Sequence, residues 1–463
     1  MTEALESNRP PLAEAGVLLG VAYVIGLLML MTAGIYDGPL AEPSILLAVL
    51  CLGTVCAIMA RIVLRPRATP FAIPSPSALA LLAIALGAFT IATFADARLL
   101  IHGPNPARFI HVVEIVQFGL LATYLPGIVH GRRETSTWIR LRFACFALLF
   151  LAGGVSVMHL SPRPEVDVWQ MHTEAARAML RGENIYDLAN VHVPDQGRSG
   201  HPLVAFPYPP IPCYLSAVAY VLGGDVRWGV LAAMLTFGIA MRLIAAGVRA
   251  STSKLPASAL LEDAPALVWW LTPKAFFFLE ISFNDAYSLA FASLAIFAHA
   301  RGRRFLSAFF LGLLLGSKQT MILFLPLAVL LGYGIGHWAV FLGTAAATVL
   351  PFVLWDFSAL KHSAIDLFLY TAKPRLNALS PMAWLTRHFG IVQTAVPPGL
   401  VLATGTTLIA LIRAPRTLYA FAVASTASCF CFYLFNRFMV INYYFFIMGL
   451  ALLAAAVAIG ERR

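Results

Sequence analysis

Charge is what this chain has least of. Asp, Glu, Lys and Arg together make 12% of its 463 residues, about half the share of an ordinary soluble domain. The scarcer sign is negative, with 22 acidic against 32 basic residues and a net charge of +10. That surplus does not form a nucleic-acid surface. It falls in short loops between apolar runs: Arg61, Arg65 and Arg67; Arg132, Arg133, Arg140 and Arg142; Arg301, Arg303 and Arg304; Arg413 and Arg416; Arg462 and Arg463. This is the positive-inside pattern, which reports topology rather than partners, so no nucleic-acid partner is expected. Cysteine is scarce too. Cys51, Cys56, Cys145, Cys213, Cys429 and Cys431 show neither metal-ligand spacing nor a disulfide framework. There is no internal repeat, no low-complexity tract and no separate soluble domain. Nor do polar and apolar residues alternate over about ten positions, which excludes a membrane barrel.

What is there is grease. Hydrophobic residues make 60% of the chain, and the mean hydropathy is +0.81. Run after run reaches roughly 18 residues with almost no charge, the length that crosses a bilayer as a helix. The expected fold class is an all-α polytopic membrane protein with about 14 spans. Helices are expected near 14–35, 43–60, 77–95, 109–129, 143–160, 226–248, 264–282, 286–300, 305–318, 320–336, 338–355, 394–412, 417–435 and 442–459. The acidic start "MTEALESNRPPLAEAG" before a long first run reads as a retained span, not a cleaved signal peptide. With the basic loops inside, both termini are expected in the cytoplasm and three polar segments on the opposite face. These are about 161–225, 356–394 and "NRFMVINYY". Two tight turns join them there, "ISFNDAY" and "GSKQT". Broken helices at the membrane midplane are not expected.

The longest polar interruption opens on Asp167. From Val168 the apolar positions Val168, Met171, Ala175 and Met179 keep one face of a helix of about four turns. Gly182 is placed to end it, and Asp167 stands at its start, where helix N–H groups favour a carboxylate. On these residues alone Asp167 is either a helix cap or a catalytic group. "YPPIPCYLSAVAYVLGG" follows, expected to be a short helix at the membrane surface with Pro209 and Pro210 at its start. Lys318 closes "LGLLLGSK" at the end of an apolar run. A cation there either serves a function or snorkels to the interface.

Asp167, Gly182 with Tyr186, Tyr208-Pro209-Pro210, and Gly312 through Gly316 to Lys318 occur in the order found in a known family. The chain resembles the GT-C superfamily of membrane glycosyltransferases over roughly residues 143–459. It is most similar to glycosyltransferase family 87, which includes polyprenyl-phosphate-mannose-dependent mannosyltransferases. It departs in carrying "SFNDA" where the family often has a G-Q-x-N turn. The resemblance implies three regions: an extension of four spans (1–142), a GT-C core with a catalytic loop at about 161–225 (143–355), and a C-terminal loop with the last spans (356–463).

It implies an inverting transferase in the plasma (inner) membrane. Sugar, most simply mannose, would pass from a polyprenyl-phosphate donor to a hydroxyl of a glycolipid or glycan acceptor on the extracytoplasmic side. Membrane lipids are its other expected partners. Asp167 would be the base. Lys318, Lys373, Arg375 and Arg437 are the candidates for the donor phosphate. His172, Tyr208, Asn284, Asp285 and Gln319 are the candidates for sugar or acceptor, with His201 and His362 as weaker acid–base candidates on the same side. No cofactor and no metal site is expected, because no paired acidic motif accompanies Asp167 beyond Asn284 and Asp285. A divalent cation is the less favoured alternative. Two other classes compete: a secondary transporter or lipid flippase, which calls for inverted repeats and broken helices, and a non-catalytic assembly subunit.

Overall fold

The structure, a computed structural model, describes residues 12–32, 41–64, 82, 84–88, 107–130, 134–164, 166–191, 205–247, 258–272, 274–371, 380–390, 398–436 and 441–461. Of these, 84% are helical, and no strand occurs among them. The helices are α1 (Leu12–Thr32), α2 (Ala41–Leu64), α3 (Ala107–Ala122), α4 (Leu125–His130), α5 (Ser136–Leu160), α6 (Asp167–Leu180), α7 (Ile211–Gly223), α8 (Arg227–Ala245), α9 (Ser258–Leu271) and α10 (Ala275–Ile281). They continue with α11 (Asp285–Ala300), α12 (Arg304–Leu315), α13 (Ile335–Lys361), α14 (Pro381–Phe389), α15 (Pro398–Arg413), α16 (Leu418–Leu434) and α17 (Ile441–Gly460).

Five described helices are long and apolar enough to cross a membrane, and six if a bent pair counts as one span. These five are the segments in α2, α5, α8, α13 and α17, and each coincides with an expected span. The count of about 14 continuous spans is not reproduced. The expected span at 109–129 is divided at Thr123–Tyr124, between α3 and α4. The one at 264–282 is divided into α9 and α10, with Pro265 inside α9. The one at 320–336 winds as short 3₁₀ and α turns, Gln319–Leu331. The expected span at 77–95 lies almost wholly outside the described residues. Composition sets how much grease a segment carries. Proline, missing caps and neighbouring helices decide whether it stays one straight rod.

Between α10 and α11 the chain bends by 115° across Ser282–Asn284, where the tight turn "ISFNDAY" was expected. Ser282 sits at φ 66°, among the described residues the sole non-glycine with positive φ, a conformation that costs an L-residue roughly 1–2 kcal/mol.

Glycine sets the closest approach in the core. A Cβ at Gly312 would come 2.6 Å from the Phe341 carbonyl and 2.5 Å from Thr344 Cβ, so α12 and α13 touch at their backbones. One turn on, a Cβ at Gly316 would strike Thr348 Oγ1 at 2.6 Å. The first two helices pack on the last two: α1 lies along α17, and α2 along α16. A second attachment is polar. The Arg142 guanidinium grips both Glu134 oxygens at 2.7 Å and lies 3.4 Å over the Tyr124 ring. The Tyr124 hydroxyl donates to buried Asp263 at 2.6 Å, and Arg242 pairs with Asp263 and Glu262.

Candidate functional site

Helix α6 forms where its pattern predicts, over 14 residues. Asp167 is its first residue and is exposed, with Oδ1 accepting from the Val168 N–H at 2.8 Å. The helix closes on Gly182, φ 74°, where the Glu183 N–H reaches back to the Ala178 carbonyl at 2.9 Å, the six-to-one bond of a Schellman end. His172 lies on the inner face, 1% exposed, with Nδ1 2.9 Å from Ser216 Oγ on α7. Its ring stacks on Tyr208 at 5.7 Å and meets Phe206 edge-on at 5.3 Å. Burial without a charged partner pushes its pKa down to about 3, so the ring is neutral and unsuited to donate a proton.

Two of the residues that carried the family resemblance, Tyr186 and Gly316, meet the short strap 205–211, which itself contains Tyr208, Pro209 and Pro210, and Gln319 joins them. The Tyr186 hydroxyl donates to the Tyr208 carbonyl at 2.9 Å. Gln319 Nε2 donates to Pro207 O at 2.6 Å and to Ala364 O at 2.8 Å. The Ile211 N–H donates to Gly316 O at 3.2 Å. Pro209 and Pro210 were expected at the start of α7; Pro210 is its N-cap, and Pro212 lies in its first turn. Tyr186, Tyr208, Gly316 and Gln319 thus fix the strap against the residues that carry Lys318.

Lys318 does not snorkel. It is 4% exposed, and Nζ lies 2.5 Å from Oδ1 of fully buried Asp285, the first residue of α11. Asn442, at the start of α17, donates to the other oxygen, Oδ2, at 3.0 Å. Tyr443 presents its ring 4.7 Å from Nζ and stacks on Tyr433 at 4.4 Å. The Tyr433 hydroxyl shares a short hydrogen bond with Thr320. The pair sits deep. Helix α12 has 12 residues and α11 has 16, so the basic turn Arg301–Arg304 lies roughly 18–24 Å away along their axes. If that turn marks one edge of a hydrocarbon layer of about 30 Å, the ion pair lies in the layer's far half.

Three polar atoms at this break have no partner among the described residues: Ser282 Oγ, Asn284 Nδ2 and Asn442 Oδ1. At the same end Ser161, just past α5, donates to Glu280 Oε1 at 2.6 Å. Its carbonyl accepts from Arg227 Nη1 at 2.7 Å, and Arg227 is held in turn by Asp225.

The structure therefore joins Lys318, Asp285 and Asn442 directly. It joins His172, Tyr208 and Gln319 through the strap, and it places Asp167 at the head of the helix covering that strap. Asn284 adjoins Asp285. Lys373, Arg375, Arg437 and His201 lie outside the described residues. His362 follows α13 and is exposed. No group of three or more His, Cys, Asp or Glu suited to a metal ion occurs among the described residues. Sequence reasoning missed Asn442, Tyr433 and Ser282. An isolated Asn opening a long apolar run was the available signal for the first, because such a residue is costly in lipid without a partner. Comparisons with family models, curated proteins and solved structures gave no match.

Proposed function

We propose that the chain is an inverting glycosyltransferase of GT-C type. It moves a sugar, mannose by preference, from a polyprenyl-phosphate donor to an acceptor hydroxyl on the extracytoplasmic side of the membrane. The observation that carries this reading is the strap. Tyr186, the strap with Tyr208, and the segment from Gly316 to Gln319 are separated widely in sequence, yet they meet at one place, beneath an amphipathic helix headed by a carboxylate and beside a buried lysine. In the proposed reaction Asp167 takes the proton from the acceptor hydroxyl. The oxygen attacks the anomeric carbon, the bond from that carbon to the phosphate oxygen breaks, and the configuration inverts. Lys318 balances charge on the departing polyprenyl phosphate. Tyr208, Gln319, Asn284 and Asp285 are the candidates for holding the sugar or the acceptor.

The test is sugar transfer by purified protein in nanodiscs, with a short-chain polyprenyl-phosphate-mannose and a panel of glycolipid acceptors. Asp167→Asn should lower turnover by at least about a hundredfold while leaving donor binding unchanged. Undiminished transfer in that variant removes Asp167 as the base.

A second reading, a transporter or lipid flippase, draws on one observation: the 115° break between α10 and α11 beside a buried charge, a feature of transporter sites. Lipid scrambling in proteoliposomes without sugar transfer would favour it.

A further inference from the structure

We infer that the turn Arg301–Arg304, with the aromatic ledge beside it, binds the headgroup of an anionic phospholipid. The inference is independent of the transferase reading.

The turn holds its charges in one place. Helix α11 closes on Gly302, φ 73°, with the Arg303 N–H donating to the Ala298 carbonyl at 2.9 Å, the same six-to-one end that closes α6. The Ser307 N–H donates to the Arg303 carbonyl at 3.0 Å, so α12 begins at once. Three guanidinium groups therefore stand within four consecutive residues, all of them exposed. Arg301 lies over the Phe297 ring at 5.1 Å, a contact that steadies the charge without neutralising it. Among the described residues no carboxylate pairs with Arg301, Arg303 or Arg304. The first turn of α12 has no acidic residue, and Arg303 and Arg304 lie at the positive end of that helix's dipole, where a cation is disfavoured.

Acids at this end of the bundle are engaged elsewhere. Tyr287 abuts Gly229, and Gly460 abuts Ile244. The starts of α8 and α11 therefore lie together, as do the ends of α8 and α17, and the arginine turn shares its end of the bundle with Glu262, Asp263 and Glu461. The first two hold Arg242. Glu461 accepts from the Tyr419 N–H at 3.2 Å.

The second ground is apolar and adjoins the charges. Phe305 is 59% exposed and Ile335 91%, and Leu306 and Phe309 are exposed as well. The Phe305 ring stacks on His337 at 4.4 Å, and His337 stacks on Tyr333 at 5.5 Å, so the starts of α12 and α13 form one wall. Tyr333 also meets Trp338 edge-on at 6.3 Å. Tyr and Trp gather where headgroups meet hydrocarbon, which sets the arginines level with phosphates and the exposed apolar side chains level with acyl chains. The positive-inside pattern accounts for arginine at this end, but not for the ledge beside it.

The chemistry selects among ligands. A guanidinium presents a planar fork that matches the two free oxygens of a phosphodiester. A zwitterionic phospholipid brings its own cation, which three arginines repel. A soluble phosphate ester would satisfy the arginines and leave Phe305, Phe309 and Ile335 uncovered. An anionic phospholipid meets both halves of the surface.

The experiment is native mass spectrometry of the delipidated full chain in detergent, titrated with phosphatidylglycerol, phosphatidylcholine and glycerol phosphate. The wild type should hold phosphatidylglycerol at least about tenfold more tightly than either of the others. Replacing Arg301, Arg303 and Arg304 together by Gln should weaken phosphatidylglycerol by at least about tenfold, since each surface arginine contributes roughly fivefold. Phe305→Ser with Ile335→Ser should weaken it several-fold. The control is Arg413→Gln with Arg416→Gln, which removes two charges from another turn at the same end and should leave the affinity unchanged.

Equal affinity for the two phospholipids overturns the proposal. So does a loss in the control that equals, charge for charge, the loss in the triple variant, because the general charge of that end would then explain the binding. Glycerol phosphate that binds as tightly as phosphatidylglycerol and displaces it overturns the lipid assignment as well. If the triple variant does not fold, Arg303→Gln alone serves: it should weaken phosphatidylglycerol about fivefold, and an unchanged affinity overturns the proposal equally. None of these outcomes depends on sugar transfer, so the two readings fail separately.

Discussion

His172 shows what burial does to a single side chain. Its imidazole is enclosed by Phe206, Tyr208 and Ser216, and its pKa falls from 6.5 to about 3. The unfolded chain binds this proton below about pH 6.5, whereas the folded one refuses it until about pH 3. The stabilisation is therefore complete above 6.5 and is lost as pH falls through the window between these values, at about 1.4 kcal/mol per pH unit. Melting of the wild type should drop more steeply between pH 6.5 and 5 than melting of His172→Gln. Parallel curves would show that the ring is solvated after all. The buried position of His172 was legible only in part. Its helix followed from the spacing of Val168, Met171 and Ala175, but the ring's neighbours come from α7 and the strap, which no local pattern locates. The Asp285–Lys318 pair was hidden for the same reason: its members stand 33 residues apart, and Asn442 lies 157 residues beyond Asp285.

At the scale of elements, glycine spacing was legible and its meaning was not. Gly312 and Gly316 mark the helix that ends at Lys318, and in the structure they let α12 rest on the backbone of α13 and the start of α7. Gly312→Leu should force α12 off Phe341 and Thr344, cost about 1–3 kcal/mol and lower the melting temperature in detergent. Gly343→Leu, where an added Cβ meets nothing within 4 Å, is the matched control. An equal effect of the two would mean that the close approach does not matter. Long apolar runs announced α2, α5, α8, α13 and α17 well. The turn at Ser282–Asn284 was legible as the tight turn between two apolar runs, but its sharp bend and the positive φ of Ser282 were not, because no local pattern encodes them.

For the whole molecule, the sequence suggested an appended N-terminal extension, and the structure knits those helices into the bundle. Helix α1 lies on α17, and α2 lies on α16. The Arg142–Glu134 grip stacks on Tyr124, whose hydroxyl reaches Asp263. Deleting residues 1–133 should therefore not release a stable core. It would uncover one side of α16 and α17 and remove Tyr124, whose hydrogen bond to the Asp263 carboxylate is worth about 1.5–3 kcal/mol. A truncated protein that elutes as a sharp species in detergent and melts within a few degrees of the full chain would contradict this. The polar chain itself was foreshadowed only by single charges inside apolar segments.

The partnership of Asp285 with Lys318 also bears on how the protein is made. The carboxylate leaves the ribosome 33 residues ahead of the ammonium group that neutralises it. Entering lipid alone, it would cost roughly 2.5–3.5 kcal/mol, and the seven residues of α10 are too few to anchor the turn by themselves. Helix α11 should therefore wait at the insertion machinery until α12 emerges, and the two should enter the bilayer as a hairpin. Nascent chains arrested with residue 310 just outside the ribosome should leave α11 crosslinked to the translocon. Chains arrested with residue 340 outside should have released it into lipid. Release at the earlier length would mean that α11 settles without its counter-ion.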